Sequence, residues 1–134
     1  MAGLQADAVK IAIVNRLPMI RVDVEFQGRT IELDHVLLDT GSASTIFAMD
    51  ALRALGLSWS LDDQLRSLSG IGGYESIVDK VVDRVSIGAM SVSPMQIEMG
   101  GMDYGFELDG IIGLDFLLAV KAIIDFDRLE LRPA

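Results

Sequence analysis

The chain has 134 residues, with 20 acidic side chains against 11 basic ones and a net charge of −9. Apolar residues make up 51% and charged ones 23%, a balance of ordered globular proteins that excludes a disordered tail. The acidic excess opposes a grip on nucleic acid, and the longest apolar run, Phe116 to Val120, has five residues, too few to span a membrane as a helix.

Residues 10–14 (Lys-Ile-Ala-Ile-Val) predict a first strand. Ile20 to Phe26 alternates apolar and polar residues strictly, the pattern of a half-buried strand. Gln27-Gly28-Arg29 turns into a second strand, Thr30 to Leu33. Val36-Leu37-Leu38 is an apolar run that leads into Asp39-Thr40-Gly41-Ser42. Ala48 to Leu55 predicts a short helix, with Gly56 placed to cap its C-terminus. Arg66 to Ser69 predicts a strand, Gly70 to Gly73 a turn, and Glu75 to Val82 the return. A hairpin is expected to pair Val81–Ile87 with Ser91–Met99 across Gly88-Ala89. Gly100 to Leu108 reads as a loop and Ile111-Ile112 as a short buried strand. Leu114 to Leu118 reads as a short helix, and Ala122 to Asp125 and Leu129 to Leu131 as closing strands. A mostly β chain with one or two short helices and a turn every eight to twelve residues implies a sandwich or a partly closed barrel.

Cysteine is absent and His35 is the one histidine, so disulfides, thiol nucleophiles and histidine-cluster metal sites are excluded. Met1 to Ala8 has neither the basic start nor the apolar segment of a signal peptide. Together these features predict a cytoplasmic protein. Asp62-Asp63 and Asp125-Phe126-Asp127 lack a calcium-loop pattern and read as solvated turn acids.

Two segments hold candidate chemistry. In the first, Asp39 directly follows an apolar strand. Burying an ionised carboxylate there costs several kcal/mol or more unless it is hydrogen-bonded. Gly41 permits a tight turn that brings main-chain N–H groups to the carboxylate, and Thr40 and Ser42 add hydroxyls. Asp39 is therefore either a carboxylate held for use or the acceptor of a local Asx turn. The second segment is Asp109-Gly-Ile-Ile-Gly-Leu-Asp115-Phe. Its glycines flank a buried strand, which implies another backbone passing close. Asp115 stands at the start of a helix, as an N-cap or first-turn acid.

Asp-Thr-Gly-Ser after an apolar strand, followed by Asp-Gly-Ile-Ile-Gly-Leu, resembles one lobe of the pepsin family and the single-lobe retropepsins. Gly70-Ile-Gly-Gly-Tyr74 stands where that family keeps its flap hairpin, and Ala122 to Leu131 resembles its closing hairpin. The resemblance covers residues 18–132 of what is expected to be one domain, 1–134. It implies an all-β, single-lobe acid-protease barrel with one or two short helices and a flap hairpin. Asp39 would be the catalytic aspartate of an aspartic endopeptidase. Thr40 would lock two active-site loops together, Gly41 would shape the loop and offer its carbonyl to substrate, and Ser42 would hydrogen-bond the carboxylate. Ile71, Gly72, Gly73 and Tyr74 would form the flap, with Ile111, Ile112 and Gly113 as the strand beneath the active-site loop.

Such chemistry takes two carboxylates sharing one proton around a water. This chain has one Asp-Thr-Gly, so the resemblance implies a homodimer acting on an extended peptide or protein substrate, without a cofactor, nucleic acid or membrane. Retroviral members have Gly-Arg-Asp or Gly-Arg-Asn where this chain has Gly113-Leu114-Asp115, which implies a dimer tied by other contacts. Two alternatives remain at this point: a non-catalytic peptide-binding module of the same fold, and a self-associating β-domain in which Asp39 only stabilises its loop.

Overall fold

The computed structural model describes residues 7–60, 66–70, 73–102 and 107–134. The chain opens with β1 (Val9–Lys10) and β2 (Ala12–Val14), not the single strand expected over 10–14. Ile11 separates them because it is fully buried and its N–H donates to the Leu129 carbonyl (2.8 Å). The chain passes there from one sheet to another.

β3 (Leu17–Phe26) and β4 (Arg29–Leu38) form the longest hairpin. Gln27 and Gly28 at its tip both have positive φ (49° and 80°), the combination that matches the right-handed twist of paired strands. The expected strand Thr30 to Leu33 and the run Val36 to Leu38 prove to be parts of one strand. Ile20 pairs with Val36, but Val22 pairs with Leu33, so β4 carries one extra residue opposite Arg21. That bulge at Asp34-His35 shifts the phase of the inside–outside alternation and hides the strand's continuity in the sequence.

β5 (Ile46–Ala48) leads into α1 (Met49–Leu52) and a 3-10 turn over Arg53–Leu55. Gly56 ends the turn at φ 81°, donating its N–H to the Arg53 carbonyl. The expected helix over 48–55 is therefore one α turn and one tighter turn. β6 (Arg66–Gly70) and β7 (Gly73–Val82) form a hairpin in which Gly70 faces Gly73 and Ser69 faces Tyr74.

The hairpin expected between 81–87 and 91–99 is divided. β8 (Arg84–Ile87) does pair with β9 (Met90–Val92), but β10 (Met95–Gly100) pairs with β7 instead. Both strands change partner at one point. The Ser93 hydroxyl donates to the Asp83 carbonyl (2.6 Å), and the Asp83 N–H donates to the Glu25 carbonyl (2.9 Å). Then come β11 (Gly110–Ile112), α2 (Leu114–Ala119), β12 (Ala122–Asp125) and β13 (Glu130–Pro133).

Among the described residues the main sheet runs β6-β7-β10-β5-β11-β4-β3-β8-β9, with β2 on β3. A smaller sheet runs β1-β13-β12. The main sheet curls around a core that includes Val22, Phe47, Leu52, Ile112 and Phe116, each essentially inaccessible, and Leu131 of the small sheet joins the same core. This is the all-β, single-lobe barrel that the resemblance implied, and of the two architectures the strand spacing allowed it is the partly closed barrel. Among the described residues no helix is long and apolar enough to cross a membrane.

Candidate active site

Asp39 stands where β4 ends. Three strands converge there. β11 lies parallel to β4, with Ile112 beside Leu38, and antiparallel to β5, with Ile111 beside Ile46. The Asp39 N–H continues the β4–β11 ladder by donating to the Ile112 carbonyl (3.0 Å). The chain then turns sharply. The Gly41 N–H donates to Asp39 Oδ1 (2.9 Å), and the Ser42 N–H donates to the Asp39 carbonyl (3.2 Å). A Cβ on residue 41 would stand 3.2 Å from Asp39 Oδ1, close enough to disturb that bond. Asp39 is half-buried, while Thr40 and Gly41 face solvent. A carboxylate that accepts a main-chain N–H and keeps open access is pre-oriented without being sealed off.

The far side of the loop is fastened by a contact that the sequence analysis missed. Thr45 is fully buried. Its N–H donates to Asp115 Oδ2 (3.0 Å) and its hydroxyl donates to Asp115 Oδ1 (2.7 Å). The same hydroxyl oxygen accepts the Gly113 N–H (3.1 Å), and Asp115 Oδ1 also accepts the Phe116 N–H (2.7 Å). Asp115 thus does act on the first turn of α2, as its position suggested, but it also latches the loop. Main-chain bonds from Leu114 to Ser42 (2.8 Å) and from Asp115 to Ala43 (3.2 Å) complete the seam. Thr45 carries no local signal of this role, because its partner lies 70 residues away.

The glycines of the second segment are explained by the same approach. A Cβ at Gly110 would stand 2.5 Å from Phe47 Cδ1 and 2.7 Å from the Ile46 carbonyl oxygen. At Gly113 it would fall inside the Ser44 carbonyl and 2.8 Å from the Ser42 carbonyl oxygen. Only a residue without a side chain lets these backbones cross.

The remaining singled-out residues sit as follows. The Ser42 hydroxyl donates to the Ser44 carbonyl (2.7 Å). Asp109 is tied to β4, exchanging bonds with the His35 main chain, and His35 Nδ1 lies 3.7 Å from its carboxylate. Gly73 and Tyr74 begin β7, whereas Ile71 and Gly72 lie outside the described residues. A cavity of about 540 Å³ opens beside the latch, lined by Thr45, Asp79, Gln96, Glu98 and Asp115 among others. Asp39 is not part of its wall. Among the described residues, no cluster of three or more His, Cys, Asp or Glu side chains is arranged to hold a metal ion.

A half-barrel of this topology, with an acid presented by a tight Asp-Thr-Gly loop over a crossing strand, defines a class of protein. The chain matches the aspartyl protease family over residues 22–116 and belongs to it. Among solved structures it is similar in fold to a retropepsin-like aspartic protease from Rickettsia conorii. The two chains share 17% identity and superpose with a TM-score of 0.65, over 92% of this chain and 97% of the other. No curated protein matches the chain in sequence.

Proposed function

We propose that this chain is an aspartic endopeptidase, formed as one domain over residues 1–134 and active as a homodimer in which each copy contributes Asp39. The observation that carries the reading is the setting of that carboxylate: half-buried at the end of β4, oriented by the Gly41 N–H, in a loop bolted to β11 and α2. Family membership supports it.

Two Asp39 carboxylates meeting across a two-fold axis cannot both ionise at a separation of about 3 Å. One stays protonated. The ionised one takes a proton from a water held between them, and that water attacks the peptide carbonyl. The protonated one donates to the carbonyl oxygen and, later, a proton reaches the leaving amine. Thr40, exposed beside Asp39, would tie the two loops together. Gly41 would offer its carbonyl to an extended substrate, and Ser42, expected to bond the carboxylate, gives its hydroxyl to the Ser44 carbonyl and its N–H to the Asp39 carbonyl, so it would brace the loop instead. The hairpin tip with Ile71, Gly72, Gly73 and Tyr74 would cover the substrate, which would lie as an added strand.

The test is cleavage of a denatured protein mixture from pH 3 to 7.5, at several enzyme concentrations, with Asp39→Asn in parallel. The expected result is activity that vanishes in the variant and rises faster than linearly with enzyme at low concentration. Folded protein that cleaves nothing at any pH or concentration would refute the reading and favour a peptide-binding module.

A further inference from the structure

β2 pairs with the first residues of β3, and among the described residues no strand pairs with its other side. It carries two exposed apolar side chains, Ile13 (52%) and Val14 (41%). The turn from β2 to β3 has two residues, Asn15 at φ 52° and Arg16 at φ 65°. In a turn of this kind the flanking pair, here Val14 and Leu17, exchanges both main-chain bonds. The next pair, Ile13 with Pro18, is then non-bonded, which suits a proline because it has no N–H to give. Ile13 therefore turns its N–H and C=O away from β3, to the open side. The same alternation sends the Ile11 N–H outward, where it meets the Leu129 carbonyl (2.8 Å). The open stretch is thus short, comprising Ile13 and the turn beyond it.

An edge this short contributes little backbone affinity, so the charges around it decide what it accepts. Residues 8–22 are the longest stretch of the chain without an acid, and they carry Lys10, Arg16 and Arg21 in a protein of net charge −9. Arg21 is committed to Asp23 and Glu32. Lys10 and Arg16 are exposed and form no ion pair among the described residues. They stand three residues to either side of Ile13. A second copy is a poor occupant, because antiparallel pairing about Ile13 would set Lys10 against the partner's Arg16.

We propose that the free edge of β2 is a docking strip for the protein substrate, taking an extended apolar segment with an acid about three residues to each side. The central residue of that segment exchanges two hydrogen bonds with Ile13, and its acids face Lys10 and Arg16. The identity of the occupant as substrate rests on the protease reading; the docking itself does not.

The strip lies within reach of the candidate acid. Val14 is opposite Leu17, and Met19 is opposite Leu37, so Leu17 is level with Asp39. A strand added to β2 would run three strand spacings from β4, about 14 Å. Five extended residues cover about 16 Å. One chain can therefore keep its acidic segment on β2 while a bond some five or more residues away lies at Asp39.

The test reads the fluorescence anisotropy of fluorescein-labelled Glu-Thr-Val-Ile-Val-Thr-Glu, beside the same peptide with lysine for both glutamates, at low and high salt. Asp39→Asn protein is the host, so that the peptides stay uncut. The expected result is binding of the acidic peptide alone, weakened by salt and weakened about tenfold by adding Arg16→Gly. That change makes the turn Asn-Gly, a favoured pair for this turn type, so a weakened hairpin cannot explain the loss. Adding Lys10→Glu with Arg16→Glu should invert the preference to the lysine peptide. In protein with Asp39 intact, Arg16→Gly should raise KM for denatured casein, an acidic substrate, and leave kcat unchanged. No binding, equal binding of the two peptides, or an affinity that ignores these variants overturns the strip and leaves the protease reading standing. Acidic-peptide binding with an unchanged KM overturns the substrate as occupant. The inverted preference in a protein whose wild type cleaves nothing supports the strip and refutes the protease reading.

Discussion

Removing the Asp115 carboxylate (Asp115→Ala) tests whether the latch holds the Asp39 loop. The change strands the N–H and the hydroxyl of Thr45, which is fully buried, and the N–H of Phe116. A buried polar group left without its partner costs about 1–3 kcal/mol. Two relief routes reduce the sum. Asp115 is exposed, so water can enter the vacated space, and the Thr45 hydroxyl keeps the Gly113 N–H as a donor to it. The net loss is therefore about 2–4 kcal/mol. With a urea slope of roughly 1.5 kcal/mol per molar, the unfolding midpoint falls by about 1–3 M. Thr45→Val keeps the shape and removes the hydroxyl, so it orphans the Gly113 N–H for about 1–3 kcal/mol, while Asp115 Oδ1 keeps the Phe116 N–H. Because both changes break one contact, the double variant should cost about 1–2 kcal/mol less than the sum. In folded protein, the kcat/KM of the proposed cleavage should also fall about 10–100-fold, since a shift of about 1 Å in a reacting group is enough. An unfolding free energy of Asp115→Ala within about 0.5 kcal/mol of wild type, or strictly additive variants, would refute the latch.

Gly110→Ala and Gly113→Ala each force a methyl group into a packed backbone crossing. Both should lose about 3 kcal/mol by thermal or urea unfolding, and Gly113→Ala should also displace the Asp39 loop and lose activity. Two acids should show opposite pH signs. Burial raises the pKa of Asp23, whose Oδ1 has no hydrogen-bond partner, with Glu32 and Asp34 adding to the shift and Arg21 opposing it. Its ionised form therefore weakens the fold above the raised value, and the penalty fades as pH falls toward 3.8. Asp23→Asn should gain stability at pH 7, by less than about 1 kcal/mol given solvent screening, and gain none at pH 3. Asp125 is depressed instead, first by the Arg128 main-chain N–H and then by Arg132. Its contribution is complete above 3.8 and is lost as pH falls through the depressed value. Asp125→Asn, measured in dilute protein, should destabilise at pH 7 and converge on wild type in acid.

Much of this protein is legible locally. The strict alternation of Ile20 to Phe26, the capping Gly56, the short helix at Leu114 and the closing strands all follow from the chain's own periodicity and punctuation. So does the candidate acid, because a carboxylate directly after an apolar strand is conspicuous wherever it occurs. Only the tertiary structure decided the rest. The Asp34-His35 bulge disguised one ten-residue strand as two pieces. The choice of β7 over β8 and β9 as the partner of β10 depends on which edge is free once the sheet has curled. The bond between Thr45 and Asp115, and the glycine crossings at Gly110 and Gly113, join residues tens of positions apart. Periodicity reports the face a residue turns to the core. It carries no information on which distant residue will be waiting there, and that pairing is what holds the Asp39 loop in place.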